Sequence, residues 1–160
     1  KNKSIKPTLV VQSALDLVGE QLRLAQIEVL TDFTGYDDNA EFSAHLVQLE
    51  QVIINLLTNA RDAILDRGGK RKIEIKVDNS STLINIFVID SGGGIPNEIK
   101  SRIFEPFYTT KVMGKGTGLG LSVSYGIIQD NGGNISVDNV DGGASFCVSL
   151  PLAVGEFSEG

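Results

Sequence analysis

Polar side chains recur at helical spacing between Gln48 and Asp62, beside a strongly apolar face. Gln48, Gln51, Asn55, Asn59 and Asp62 lie three, four, four and three residues apart, so a helix would place them in one stripe. A carboxamide oxygen is an uncharged hard ligand, and magnesium prefers oxygen ligands while it keeps waters and bridges to phosphates. Asn59 fits that role. The stripe is equally compatible with an exposed helix face that happens to hold Asn, although Asn is a mediocre helix former.

An acidic residue ends an apolar run and leads directly into glycines in residues 88–96. We expect Asp90 to lie at a strand end, partly buried, where its carboxylate needs hydrogen-bond donors. The exocyclic N6 amino group of adenine is such a donor, whereas guanine presents an acceptor at that position. Gly92 and Gly94 would let the backbone pass close to a flat ring. Judged alone, an Asp that caps a strand before a turn is the commoner use of such a sequence.

Glycines alternate with other residues at Gly114, Gly116, Gly118 and Gly120, at the expected start of a helix. Such a loop frees backbone N–H groups to face phosphate oxygens, and the helix N-terminus adds a favourable dipole. The spacing matches neither Walker A nor Gly-x-Gly-x-x-Gly. Because Thr, Leu and Lys interleave with no linker period, we favour a phosphate-binding loop over a flexible linker.

Aromatic and basic residues precede that loop. Phe104 and Phe107 could latch a mobile segment onto the body of the protein, or form a local hydrophobic cluster, and the two roles can coexist. Lys111 and Lys115 could reach phosphates as mobile point charges.

The elements that must position these residues follow from apolar periodicity. Helices are predicted over 8–26, 46–65 and 118–130, the second with the clearest apolar face. Extended segments are predicted over 27–33, 41–44, 72–77, 83–89, 135–139 and 144–150. Residues 90–115 form a long turn-rich stretch of the kind that is usually functional or disordered, and residues 153–160 are expected to fray. The pattern predicts a mixed sheet with helices on one face, a two-layer α/β sandwich.

Composition limits the class of protein. The 160 residues suit one domain with a sizeable core, and a net charge of −6 argues against a nucleic-acid-binding surface. No apolar run is long enough to cross a bilayer and no signal-peptide pattern is found, so no direct membrane contact is expected in this segment. The single cysteine, Cys147, is expected to be a buried structural thiol, which favours a cytoplasmic location. Because the chain begins at Lys1 without Met, we expect it to be part of a longer protein that could carry an anchor elsewhere.

The order of the motifs resembles the N, G1, F and G2 boxes of the ATP-binding domain of sensor histidine kinases. That order is an Asn-rich helix, then Asp-x-Gly-x-Gly-Ile, Phe-x-Pro-Phe and Gly-x-Gly-x-Gly, and the resemblance covers about residues 6–152. The superfamily also includes DNA gyrase, Hsp90 and MutL. Segments 59–63, 106–111 and 116–121 are similar to sensor kinases specifically, above all to nitrogen-regulation and PAS-linked sensors with a short lid. The resemblance implies a single α+β domain over 1–160 with the Bergerat fold, a mixed and mostly antiparallel sheet, and a flexible ATP lid.

The resemblance also implies ATP and Mg²⁺ as cofactors and gives roles to residues. Asn59 would hold magnesium, Asp90 would bind adenine N6, and Asn55 and Lys111 would be catalytic, near the triphosphate and the γ-phosphate. The residues implied to bind nucleotide are Asn55, Asn59, Asp62, Asp90, Gly92, Gly94, Ile95, Phe107, Thr110, Lys111, Lys115, Gly116, Thr117, Gly118, Leu119, Gly120 and Ser145. Gyrase-like relatives have a Glu general base at the position of Asn55. An amide cannot take a proton at neutral pH, which fits phosphoryl transfer to a protein better than hydrolysis.

Two departures from the family pattern concern histidine. Residues 43–45, Ser-Ala-His, replace the usual Gly-Asp-Pro, and residues 131–133, Asn-Gly-Gly, replace the frequent His-Gly-Gly. His45, the only histidine, lies outside any phosphoacceptor pattern and is expected to be structural. The phosphoacceptor hairpin is missing, so the implied partners are a separate dimerisation and phosphoacceptor domain and a response regulator. The alternatives are a serine kinase of the anti-sigma type and a nucleotide-sensing domain without catalysis.

Overall fold

The computed structural model describes residues 3–105 and 120–153, which fold as a five-stranded sheet with the long helices on one face. In chain order the elements are β1 (Lys3–Ile5), α1 (Pro7–Leu24), β2 (Glu28–Gly35), β3 (Phe42–Ala44), α2 (Leu46–Arg67), β4 (Lys72–Asn79), β5 (Leu83–Asp90), α3 (Asn97–Lys100), α4 (Gly120–Asp130), β6 (Asn134–Val140) and β7 (Gly143–Pro151).

The sheet is mixed and mostly antiparallel. Its strand order is β2-β4-β5-β7-β6, and β1 and β3 form a separate antiparallel pair. Among the described strands of this sheet, β2 and β4 pair in parallel, whereas β4–β5, β5–β7 and β6–β7 are antiparallel. This arrangement confirms the predicted α+β fold class with helices on one face. Residues 106–119, which include Gly116 and Gly118 of the loop predicted to hinge the lid, lie outside the described part of the chain.

Alternation along β5 and β7 separates the two faces of the sheet. Ile84, Ile86, Val88 and Asp90 are buried, and the residues between them on β5 are half-buried. The even-numbered residues of β7 are buried in the same way and pack with the apolar face of α2. On the strands every second residue is buried, and on the helix the buried residues are spaced by three and four. This is the pattern expected where a helix packs against one face of a sheet. The core therefore lies between the sheet and α1, α2 and α4.

The predicted helices and strands are confirmed, with ends that differ by at most two residues, and two short elements were not predicted. These are β1, three residues long, and α3, a single turn inside the stretch that was predicted to be turn-rich. Cys147 corrects the expectation of a buried thiol, because it is only half-buried and lies on the face of the sheet opposite the helices. Among the described helices, none is both long and apolar enough to span a bilayer.

Candidate functional site

Strand β5 delivers Asp90 into the protein at the edge of a glycine turn. Its side chain is 5% exposed, and its Oδ1 accepts a hydrogen bond of 2.7 Å from the backbone N–H of Gly92. Burial raises the pKa of the Asp90 carboxyl, while hydrogen bonds from the backbone of Gly92 and Ala144 oppose that rise. A carboxylate has about four lone-pair sites, so two donors leave capacity for another. Asp90 is thus a buried acceptor that can bind an additional donor.

Residues 91–95, here called the glycine loop, pass through a narrow space between α2 and the β6–β7 hairpin. A Cβ on Gly92 would lie 2.7 Å from the Cβ of Ala63 on α2. Gly94 has a φ of +85°, and a Cβ there would lie 2.9 Å from Oδ1 of Asn139 on β6. Contacts below 3.0 Å and a positive φ both exclude larger residues. The glycines therefore allow the loop to fit closely between two elements.

The polar stripe on α2 runs alongside this loop. Asn55 accepts a hydrogen bond of 2.8 Å from Gln51, and its Nδ2 donates to the Ser124 hydroxyl (3.1 Å) and the Gly120 carbonyl (3.3 Å). Ser124 is completely buried in α4. Asn55 therefore links the middle of α2 to the first turn of α4, and its carboxamide is held in one orientation.

Asn59 lies one turn further along α2, between Asn55 and Ala63. Asn55, Asn59 and Ala63 form one row at spacings of four, in which Asn55 contacts the start of α4 and Ala63 contacts Gly92. The side chain of Asn59 is half-buried, and no hydrogen bond joins it to the described residues. Its carboxamide is thus available between the glycine loop and the beginning of α4.

The structure brings together one part of the predicted set. Asn55 is bonded to Gly120 at the start of α4, Asp90 is bonded to Gly92 beside Ala63 of α2, and Asn59 lies between Asn55 and Ala63 on the same helix row. Gly94 and Ile95 follow in the glycine loop, where they contact Asn139 of β6. Asp62 lies on α2 beyond Asn59, and its Oδ1 pairs with Arg61 at 3.1 Å. Phe107, Thr110, Lys111, Lys115, Gly116, Thr117, Gly118 and Leu119 lie outside the described residues.

Ser145 does not lie with the other predicted residues. It pairs in register with Ile89, and both lie on the half-buried face of the sheet, whereas Asp90 lies on the helix face. Because successive side chains on a strand point to opposite faces, Ser145 cannot point towards the Asp90 carboxylate. This position corrects the expectation that Ser145 contributes to the same pocket. His45 lies immediately before the first residue of α2, at its N-cap position.

Three residues that shape the site were not singled out from the sequence. Gly143 is the first residue of β7, and a Cβ there would fall 1.6 Å from the backbone oxygen of Asp90. Arg67 donates to the carbonyls of Gly142 (3.1 Å) and Ser91 (3.4 Å). Asn139 holds the glycine loop through two hydrogen bonds to Ile95. The sequence signal for Gly143 was the Gly pair in the second hairpin turn, and the signal for Arg67 was a basic residue in the last turn of α2. Each of these has an ordinary local explanation.

Comparison with known proteins gives a consistent family. Residues 44–154 match the family model described as histidine kinase-, DNA gyrase B-, and HSP90-like ATPase. The two-component sensor PprA of Pseudomonas aeruginosa is 43% identical over 151 residues, which is 92% of this chain and 16% of that protein. The sensor histidine kinase ZraS of Escherichia coli K12 is 35% identical over 94% of this chain and 33% of its own length. The chain therefore spans a third or less of these two relatives.

Solved structures agree with the sequence relatives. The nucleotide-free catalytic domain of histidine kinase ThkA has a TM-score of 0.80 and 31% identity, covering 94% of this chain and 97% of that one. ThkA in complex with the response regulator TrrA has a TM-score of 0.78 and 30% identity, covering 95% of this chain and 42% of that one.

Proposed function

Because the chain belongs to the family of histidine kinase-, DNA gyrase B- and HSP90-like ATPases, we propose that it binds Mg²⁺-ATP and supplies the γ-phosphoryl group to a histidine on a separate domain. The separate domain would carry the dimerisation and phosphoacceptor helices, and a response regulator would take the phosphoryl group afterwards. Both partners would meet the ATP-binding chain in the cytoplasm. The resemblance to ThkA, whose complex with a response regulator has been solved, supports that order of partners.

One observation carries the proposal, namely that a buried acceptor and two carboxamides follow one another along one row of α2. Asp90 lies at one end beside the glycine loop, Asn59 lies in the middle, and Asn55 contacts the start of α4. A nucleotide lying along this row would have its base beside Asp90 and its phosphates beside the two carboxamides of α2. A helix N-terminus at the far end favours anionic groups.

At the base end, the Asp90 carboxylate would accept the N6–H of adenine. Guanine presents an oxygen at the same place, so its binding would set two acceptors against each other in a buried site. Gly92, Gly94 and Ile95 would lie against the ring. This part of the proposal gives a reason for a carboxylate in a place where burial disfavours its charge.

At the phosphate end, magnesium would be held by the Asn59 oxygen, by waters and by phosphate oxygens, and it would neutralise charge on the transferring group. Asn59 fits because it is a neutral oxygen ligand without a described protein partner. Lys111 and Lys115, with Gly116 and Thr117, are proposed to contact the phosphates as the resemblance implies.

Asn55 would position the phosphates rather than remove a proton. A carboxamide has no basic site at neutral pH, and this one is held by Gln51 on its own helix and by Ser124 on α4. Such a group can orient a phosphate but cannot activate water. The arrangement therefore favours transfer to a protein acceptor over hydrolysis.

The test combines binding with transfer. ATP affinity is measured by calorimetry with and without Mg²⁺ for the wild type, for Asn59→Ala and for the control Asn134→Ala, an exposed residue of β6. We expect the wild type and the control to bind ATP more tightly with Mg²⁺, and Asn59→Ala to lose most of that gain. If Asn59→Ala keeps the full dependence on Mg²⁺, the magnesium assignment is wrong.

Transfer is measured with a histidine-containing dimerisation and phosphoacceptor hairpin supplied in trans with γ-labelled ATP. We expect an acid-labile phosphohistidine on the hairpin and little free phosphate. An acid-stable label on a serine of a partner protein would instead indicate a kinase of the anti-sigma type. Tight ATP binding without label on either acceptor would indicate a nucleotide-sensing domain.

A further inference from the structure

Asn139, near the end of β6, makes a two-point contact with the backbone of the glycine loop. Its Oδ1 accepts the N–H of Ile95 and its Nδ2 donates to the carbonyl of Ile95, each at 2.7 Å. The residues are 44 positions apart in the chain. A side chain here imitates the paired hydrogen bonds that a neighbouring strand would make.

The contact lies on the same face of the sheet as the buried acceptor. Asn139 pairs in register with Ala144 on β7, and the backbone of Ala144 is hydrogen-bonded to the Asp90 carboxylate. Ile135 and Val137 are buried and face the helices, and the alternation of side chains along a strand places Asn139, which is exposed, on the same face. Ala144 therefore connects Asn139 with Asp90 across neighbouring strands.

Further contacts hold the same loop against the hairpin. The N–H of Gly93 donates to the carbonyl of Gly142 at 3.1 Å, and Arg67 donates to that carbonyl as well. Lys100, just beyond the loop, lies 3.7 Å from Asp138 on β6. Among these contacts, Asn139 alone bonds both backbone groups of one loop residue, which fixes that residue's position and orientation.

We propose that Asn139 is a positioning residue for base recognition, which holds Ile95 and the glycine loop in the conformation that receives adenine. The inference rests on the proposed function, since it concerns the base end of the same nucleotide site. Asn139 does not touch the nucleotide itself. It acts by keeping the loop in the competent conformation, so that binding energy is not used to order it.

A carboxamide is the required group because it provides a donor and an acceptor side by side. Alanine removes both hydrogen bonds. Aspartate keeps the acceptor for the Ile95 N–H but turns a negative oxygen towards the Ile95 carbonyl. On protonation the same carboxyl regains a donor, so its defect depends on pH in a way that a simple loss of packing does not.

The experiment measures affinities for ATP, ADP and inorganic tripolyphosphate with Mg²⁺ present, for the wild type, N139A, N139D and the control N134D. The control places the same change at the other end of β6, where Asn134 Oδ1 is an acceptor from Gln129, a role that a carboxylate preserves. We expect N139A to bind ATP and ADP more weakly than the wild type by the same factor, about tenfold, because two hydrogen bonds are lost. Tripolyphosphate, which has no base, should bind all four proteins equally.

N139D should bind ATP at least as weakly as N139A at neutral pH. The ratio of its ATP affinity to that of the wild type should recover as the pH is lowered to mildly acid values. The ratio is the proper quantity, because the charged groups around Asn139, namely Asp90, Asp138 with its partner Lys100, and Asp141, are the same in both proteins. Binding of ATP by N139A or N139D as tight as that of the wild type would overturn the inference and leave the proposed function standing. An equal loss for tripolyphosphate would overturn it also, since it would show damage to the whole site. Absence of ATP binding by the wild type would refute the proposed function itself.

Discussion

Asp90→Asn is the most direct perturbation of the base end of the site. The substitution keeps the size of the side chain but leaves one acceptor oxygen and creates an NH₂ group. In the structure the carboxylate accepts the Gly92 N–H at 2.7 Å and is also bonded by the backbone of Ala144. An amide cannot satisfy both of these donors and also accept from adenine, because its NH₂ group must face one of them.

The expected loss follows from the value of a hydrogen bond to a charged group. Such bonds contribute about 1.5–3 kcal/mol, which corresponds to an ATP affinity weaker by about 10-fold to 150-fold. Removal of a buried charge partly offsets the lost bonds in the unliganded protein, so the free energy of unfolding should change less than the binding energy. Asp16→Asn, on the exposed side of α1, is the control for the change in net charge.

The pH dependence provides an independent check with a defined sign. Burial raises the pKa of Asp90 above its ordinary value, so between the unfolded and folded pKa values the folded state binds more protons. The contribution of Asp90 to the free energy of unfolding therefore decreases as pH rises through that window. ATP binding has the opposite sign, since adenine needs the carboxylate, and affinity should fall as pH falls through the folded pKa. Asp90→Asn should remove both dependences.

Calorimetric titration with ATP, across a pH series, measures these effects. The adenine assignment is wrong if Asp90→Asn binds ATP as tightly as Asp16→Asn at neutral pH. It is also wrong if the acid-side loss of affinity in the wild type persists unchanged in Asp90→Asn.

Two further predictions concern packing around the site. Gly143→Ala would place a Cβ 1.6 Å from the Asp90 backbone oxygen, and we expect a loss of more than about 2 kcal/mol in the free energy of unfolding. Gly19→Ala on α1, with no atom within 4 Å of the new Cβ, is the matched control and should stabilise by about 0.5–1 kcal/mol in denaturant titrations. Ser124→Ala removes the buried acceptor of the Asn55 amide and should cost about 1 kcal/mol. Strictly additive effects of Ser124→Ala and Asn55→Ala in a double-mutant cycle would show that the two side chains are not coupled.

The larger elements could be predicted from the sequence because each buries a repeated apolar face. Leu49, Val52, Ile53, Leu56 and Leu57 recur at three and four, and all are completely buried on α2. Strand β1 offers only one buried residue, Ile5, and its three residues carry no measurable period. The parallel pairing of β2 with β4 was also not predicted, because residues on one strand do not show which direction its neighbour runs.

The residues of the candidate site also divide into those that a local sequence pattern identifies and those that it does not. Asp90 and the glycines that follow it could be identified because acid, turn and apolar strand are adjacent in the sequence. Gly143 and Asn139 act through contacts with residues more than 40 positions away, which no local pattern records. Ser145 was predicted to lie in the site but lies on the other face of the sheet, because a shift of one position along a strand changes the face that a side chain occupies.

The glycine loop has consequences for how the domain opens. Three of its amide donors are satisfied by acceptors from different places: Gly92 by the Asp90 side chain, Gly93 by the hairpin turn and Ile95 by Asn139. We expect these amides to exchange slowly with solvent although the segment lies at the surface. Gly93 and Ile95 both bond to the β6–β7 hairpin, so we expect their exchange to follow a shared opening in which the hairpin separates from the loop. In kinetic terms, the place where adenine would bind would then belong to the same cooperative unit as the second hairpin.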